Sequence, residues 1–455
     1  MRNLLLLSSF EKFASNGVRA FLVVYFIKQL NMGVSDALGH TAAILSLNYL
    51  LPLFCGYLFD KVPKLQENIR FIIGGVAVGS LVFVNLGPSF FGSFIASVLL
   101  VTALLRSAIP IWIRQSLKPG DSEAVAFTQM YSYFNWGTML GTLLIAILGE
   151  IIGWNICFVI TSAVLFFSAW LAPGSIRITK SSILSILLII PIIYLVQCAL
   201  SFKYYSEGLI LLMIVGVTYL YFYFKTRNLH SPTLSWIGFV FLIISHAFFF
   251  AIYEQASTSY TSVILEKLKL IGSKIPATSF QLVDPGLNVV LGILFVQLWS
   301  VRKMKNLATD THARFSLGFL MIIPGLLAFQ RGIGDTTLLG FLSIFVIGSV
   351  LFVIGEQLII PAGFGEVSRI SDEKSRGTLI GIWYLGIAFS EEIAGFIGQS
   401  LSGGSTLDPL TYTSGLSQLI LVCVLLSTIH FGIVVNRWMR SRLIQKQPLS
   451  SDQLV

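Results

Sequence analysis

Runs of about 20 predominantly apolar residues, long enough to cross a hydrocarbon core about 30 Å thick, recur from one end of this 455-residue chain to the other. Lipid offers no partner for backbone N–H and C=O groups, so each run has to be a helix that satisfies its own. Spans are expected at about 4–30, 37–59, 71–87, 91–113, 125–148 and 154–171, then at 183–200 and 208–224. Six more follow at about 234–255, 278–299, 315–329, 338–360, 375–398 and 416–435. Fourteen spans grouped six, two and six predict an all-α polytopic membrane protein: an N-terminal six-helix bundle (1–172), an inserted pair of helices (173–230), a C-terminal six-helix bundle (231–440) and a short tail (441–455).

Composition excludes most other classes. Charged residues make up 11% of the chain, against roughly 25% in soluble domains, so no soluble enzyme domain is expected. The net charge of +9 comes from bases scattered through short loops, not from a basic patch interleaved with aromatics, so nucleic acid is not an expected partner. Cys55, Cys157, Cys198 and Cys423 lie inside apolar runs without metal-ligand spacing and read as small core residues, and no metal or cofactor is expected. The first helix carries Glu11 and Lys12 and is expected to be retained rather than cleaved as a signal peptide. With the N-terminus inside, the loops on that side carry 21 of the 30 Lys and Arg residues, Arg314 among them, against six on the other side. That bias predicts both termini in the cytoplasm.

A charge at mid-membrane costs at least about 2.5–3.5 kcal/mol, so such residues face a bundle interior or an aqueous cavity. The N-terminal half carries Glu11, Lys12 and Arg19 on its first helix and Arg106 on its fourth; the C-terminal half carries Glu254, Glu356, Glu391 and Glu392. Lys12, Ser15, Asn16 and Arg19 share one helical face. Trp383, Ile387 and Glu391 share another, from which Glu392 is turned away, so Glu391 is the expected cavity-lining acid. Structural ion pairs are the alternative reading of these charges. His40 and His246 read as packed polar residues. No H-E-x-x-H, G-x-S-x-G or P-loop pattern occurs, which argues against an enzyme.

Two six-helix halves fit the major facilitator plan, and particular residues narrow it. Met130 to Gly137 (MYSYFNWG) resembles the F-Y-x-x-I-N-x-G signature of proton-dependent oligopeptide transporters. Tyr253-Glu254-Gln255 resembles that family's F-E-Q, and Ile275 to Gln281 followed by Asp284-Pro285 resembles its I-P-x-x-x-F-Q-x-x-N-P. Gly355-Glu356 with Pro361, then Arg376-Gly377 and Gly381-Ile382-Trp383, are similar to its tenth and eleventh core helices. The first-helix signature E-x-x-E-R-F-x-Y-Y-G departs: Ser8 replaces the first glutamate, Lys12 the arginine, and both tyrosines are absent, while Arg19 and Arg106 match later bases.

The resemblance implies a bacterial inner-membrane symporter for small zwitterions such as di- and tripeptides, working as a monomer with the proton as co-substrate. Together with the charge pattern it points to a substrate site among Arg19, Lys12, Asn16, Arg106, Tyr131, Asn135, Glu356, Trp383 and Glu391, to proton coupling through Glu254 with Glu11 and with Glu391, which stands where the family usually has asparagine, and to a gate in which Arg106 meets Glu356 from the opposite bundle. Physically, the bases can hold a carboxylate while Glu356 or Glu391 faces an ammonium. Burial disfavours the charged form of a carboxyl, which makes Glu254 the candidate proton carrier. Glu11 is expected to pair with Lys12 or Arg19. A carrier of some other small anion or amino-acid derivative without proton coupling, or a non-transporting receptor on the same fold, are the alternatives.

Overall fold

The computed structural model describes residues 1–174, 193–194, 205–226, 236–257 and 282–446, apart from 33, 63–64, 66, 87–89, 302–303, 305–306, 308, 335–336, 373 and 403–408. Thirteen helices lie among the described residues. They are α1 (Arg2–Lys28), α2 (Val34–Lys61), α3 (Ile69–Asn85), α4 (Phe91–Ser116), α5 (Glu123–Ile151), α6 (Trp154–Leu171), α7 (Tyr205–Thr226), α8 (Trp236–Ser257), α9 (Val283–Ser300), α10 (Thr311–Gly334), α11 (Leu338–Ile370), α12 (Arg376–Ser402) and α13 (Pro409–Lys446). Of the span expected at 183–200 only residues 193–194 are described, and Cys198 falls outside the described residues. Seven of the helices are apolar and long enough to cross a membrane on length and composition alone.

Helices α1–α6 pack among themselves, with α1 against α5, α6, α4 and α2, while α10 packs on α11 and α13 and α8 on α12. The two bundles meet along α2 with α12 and along α5 with α9 and α11; α7 lies against α8 and α12. Local chemistry sets several of the boundaries. The Ser122 and Thr337 hydroxyls accept the N–H of Val125 and Gly340 and so cap α5 and α11. The α5–α6 link turns at Gly153 with φ of 117°, a conformation an L side chain rarely adopts.

Four helices run through prolines that ought to break them, α2 at Pro52, α4 at Pro110, α10 at Pro324 and α11 at Pro361, and in α2 and α11 the compensation is the same. Proline has no N–H to donate to the carbonyl four residues earlier. In α2, Pro52 releases the Asn48 carbonyl, which instead accepts from Arg106 Nη1 at 2.8 Å. In α11, Pro361 releases the Gln357 carbonyl, which accepts from Arg314 Nη2 at 3.1 Å, while Arg314 Nε reaches the Leu358 carbonyl at 3.0 Å. This is why α11 extends ten residues past the boundary expected at Ile360. It also corrects the place of Arg314: it belongs to α10, is 1% exposed and stacks on Trp299 at 4.8 Å, so it is not a loop base.

Small residues set the approach of α1 to α5. A Cβ on Gly137 would collide with the Ser9 carbonyl, and one on Gly141 would meet the Phe13 backbone, so these two residues, four apart, let the backbones touch. The Ser9 hydroxyl donates to the Tyr133 carbonyl at 2.7 Å across the same seam. Gly137→Val is expected to destabilise the purified protein by about 1–3 kcal/mol, seen as a lowered thermal midpoint. Gly79→Ala, where an added methyl meets nothing within 4 Å, is expected to leave the midpoint in place.

Candidate functional site

Charges from both bundles converge on the space between them. Arg19 of α1 donates from Nη2 to Glu254 Oε2 of α8 at 2.9 Å and from Nη1 to Oε1 at 3.4 Å, a two-pronged ion pair that joins the bundles. Glu391 of α12 lies within electrostatic reach of Arg19 and Glu254. A small cavity beside this pair is lined by Ser15, Arg19, Asn48 and Thr102, among others.

Deeper in the N-terminal bundle, Arg106 Nε donates to Glu11 Oε1 at 2.7 Å, and both side chains are wholly buried. The guanidinium lies 4.8 Å from the ring centroid of Tyr49. Lys12, one residue on from Glu11, forms no ion pair among the described residues. Its ammonium instead lies 5.1 Å from the Phe134 ring and 6.0 Å from Tyr49. Asn16 donates to Thr138 at 2.7 Å, and Asn135 donates to the carbonyl of Tyr131 in its own helix at 3.0 Å.

A third group surrounds Glu356. Its Oε1 accepts from the Tyr131 hydroxyl of α5, and its Oε2 from Asn288 Nδ2 of α9 at 2.7 Å. Gln357 Nε2 reaches Asn288 Oδ1 at 3.0 Å, and Tyr253 of α8 donates to Asp284.

Several expectations need correction. Arg106 is bonded to Glu11 of its own bundle and not to Glu356, because Pro52 leaves the Asn48 carbonyl free to accept from it and hold the guanidinium toward α2. Glu11 is therefore taken by Arg106 rather than by Lys12 or Arg19. Trp383 does not line the cleft: it is fully enclosed, its ring 4.2 Å from His246 and packed against Gly363. His246 is a packed residue as expected, whereas His40 is exposed beside Phe26. Cys55, Cys157 and Cys423 are buried and free.

Sequence reasoning passed over Asp60, Tyr49 and Asp284. Asp60, at the end of α2 that lies on the Met1 side, takes the first-turn N–H groups of α12 from the other bundle: Gly377 N at 2.9 Å and Thr378 N and Oγ1 at 2.6 Å. Nearby, Gly56 and Gly377 face each other so closely that a Cβ on either meets the other's backbone. The signal was present in the sequence as a Gly-x-x-x-Asp at the end of a span, facing a Gly-Thr helix start.

Two helix bundles around a charged cleft, tied on the Met1 side by Asp60 and toward the other side by Arg19 and Glu254, are the architecture of the major facilitator fold. The profile described as the POT family matches residues 196–408. Dipeptide and tripeptide permease B of Edwardsiella piscicida is 24% identical over 85% of this chain and 83% of its own length. The protein of the same name from Salmonella typhimurium is 22% identical over 93% and 92%. Over residues 196–408 the chain is similar to the POT family. Among solved structures, one described as a bacterial homologue of the human drug peptide transporters PepT1 and PepT2 superposes with a TM-score of 0.69 at 18% identity, covering 96% of this chain and 98% of that one. The tetrameric PepTSo2 superposes with a TM-score of 0.66, covering 97% and 98%.

A carboxylate at a helix N-terminus is worth about 0.5–2 kcal/mol. Asp60→Ala is therefore expected to open the Met1 side of the bundle interface in part. Spin labels placed on the two bundles at that side should show a larger long-distance population; an unchanged distribution would remove Asp60 from the closure.

Proposed function

We propose that this chain is a proton-coupled secondary transporter that takes up di- and tripeptides by alternating access, as a monomer in the bacterial inner membrane with both termini in the cytoplasm. The observation that carries the reading is the Arg19–Glu254 ion pair, which joins the two bundles at the edge of the charged cleft. The names of the permease relatives supply the cargo class, and the excess of bases on the Met1 side supports the orientation.

The charges divide the work. Lys12 is the base without a carboxylate partner, so it is the first anchor for a peptide carboxylate, with Arg19 joining once Glu254 lets go. Glu356, opposite, receives the ammonium. Proton uptake by Glu254 removes the negative half of the ion pair, frees Arg19 and opens the outer side. Arginine stays charged throughout, so the switch belongs to the acid. Once the carrier faces inward, Glu254 gives its proton to water on that side and the pair re-forms, closing the outer side behind the departing cargo.

Glu254→Gln cannot rebuild an ion pair, so its empty form cannot close. Proteoliposomes with an imposed pH gradient are expected to show wild-type accumulation of peptide, and for the variant, exchange without accumulation. Wild-type uptake that only equilibrates would make the protein a facilitator; accumulation by Glu254→Gln would remove the bridge from the gate. Hydrogen bonds to charged groups contribute about 1.5–3 kcal/mol. Lys12→Ala is accordingly expected to weaken binding of free-carboxylate dipeptides roughly 10- to 100-fold and to leave C-terminally amidated ones unchanged. Equal losses for both would move the carboxylate anchor elsewhere.

A further inference from the structure

One acid near the cleft has no part in that cycle. Asp284, in the first turn of α9, is half-buried, and its carboxylate accepts from the Tyr253 hydroxyl and from Asn288 Nδ2 at 3.3 Å. The same nitrogen donates to Glu356 Oε2 at 2.7 Å. Two carboxyl groups thus share one amide nitrogen as their donor.

Among the described residues no Lys, Arg or His forms an ion pair with either acid. The titratable groups that face them are Tyr131 from α5 and Tyr253 and Glu254 from α8. The tyrosines already donate to the pair, and the Glu254 carboxylate is bonded to Arg19. The remaining neighbours, Asn288 and Gln357, are neutral amides. Gln357 is fully buried. Its Nε2 donates to Asn288 Oδ1, and the oxygen of that same carboxamide has no partner.

Two like charges close together without a base cannot both remain ionised in a water-poor setting. What the cluster lacks is a hydrogen, since it holds acceptors in excess and no cation. One proton turns a carboxylate into a donor and lowers the pair's charge from two to one. A single negative charge then matches a single substrate ammonium.

We propose that Asp284 and Glu356 share one exchangeable proton and form a second proton-binding site that travels with the cargo. The proton is taken from water on the outer side through the half-exposed Asp284. It stays on the pair while the ammonium lies against Glu356, and it returns to water on the inner side after the peptide leaves. This rests on reading the chain as a proton-coupled peptide carrier, and it raises the expected stoichiometry to two protons per neutral dipeptide, one on Glu254 and one on the pair.

The test combines flux with a measurement that needs no transport. In proteoliposomes, the reversal of dipeptide flux under set voltage and pH gradients gives the proton-to-peptide ratio. Wild type is expected at two and Asp284→Asn at one, the asparagine keeping an oxygen for Tyr253. A wild-type ratio of one, or an equal ratio in both, overturns the proposal. Infrared difference spectra of the substrate-free protein between neutral and alkaline pH report the carbonyl band of a protonated carboxylic acid. A component of that band is expected in wild type and in Glu254→Gln, and should be lost in both Asp284→Asn and Glu356→Gln. Its survival in either of the last two overturns the shared proton. If no peptide is carried at all, the cargo reading fails while the infrared result still decides the pair.

Discussion

A guanidinium inside a membrane protein has to be bonded on several sides, and the way Arg106 meets that demand shapes the molecule around it. The residue takes a carboxylate from α1 and a backbone carbonyl from α2, and the carbonyl is available only because Pro52 cannot use it. Arg314 does the same in the other bundle with the carbonyl freed by Pro361. The two helices kept continuous in this way, α2 and α11, bring Asp60 and Glu356 to the facing bundle. An unpaired carbonyl and an unpaired arginine would each be costly in a dry interior. Together they let a helix continue through its proline where a contact between bundles is needed.

The charges then sort by side. Bases dominate the N-terminal wall of the cleft and acids the C-terminal wall, and the pair that spans it is Arg19 with Glu254. Arg106 and Glu11 neutralise each other behind the wall, so they hold structure more than cargo. Lys12 is left over aromatic rings, which stabilise an ammonium without neutralising it. The cleft therefore presents positive charge on its α1 wall and negative charge on the facing one.

Much of the fold could be read from the sequence, because lipid forces helices and apolar length shows where they lie. Where the reading failed, it failed for local reasons. Proline at 361 resembled a helix end because the arginine that compensates it is distant in sequence. Arg314 resembled a loop base because it lies in the first turn of its helix, and only packing turns it inward. Trp383 shares a face with Glu391, but a stripe along a helix does not say how deep each residue sits. The intramembrane charges converge between the bundles as a group, whereas their partners depend on which helices face one another. Asp60 and Asp284 stood at the ends of apolar runs, where an acid usually means solvent.

The seam between α1 and α5 has a further consequence. Backbone contact at Gly137 and Gly141 fastens these helices to each other, so Arg19 and Lys12 on one and Tyr131 on the other cannot slide apart. Any movement of that wall is then a movement of both helices together, and the groups they carry shift as one surface and not one side chain at a time.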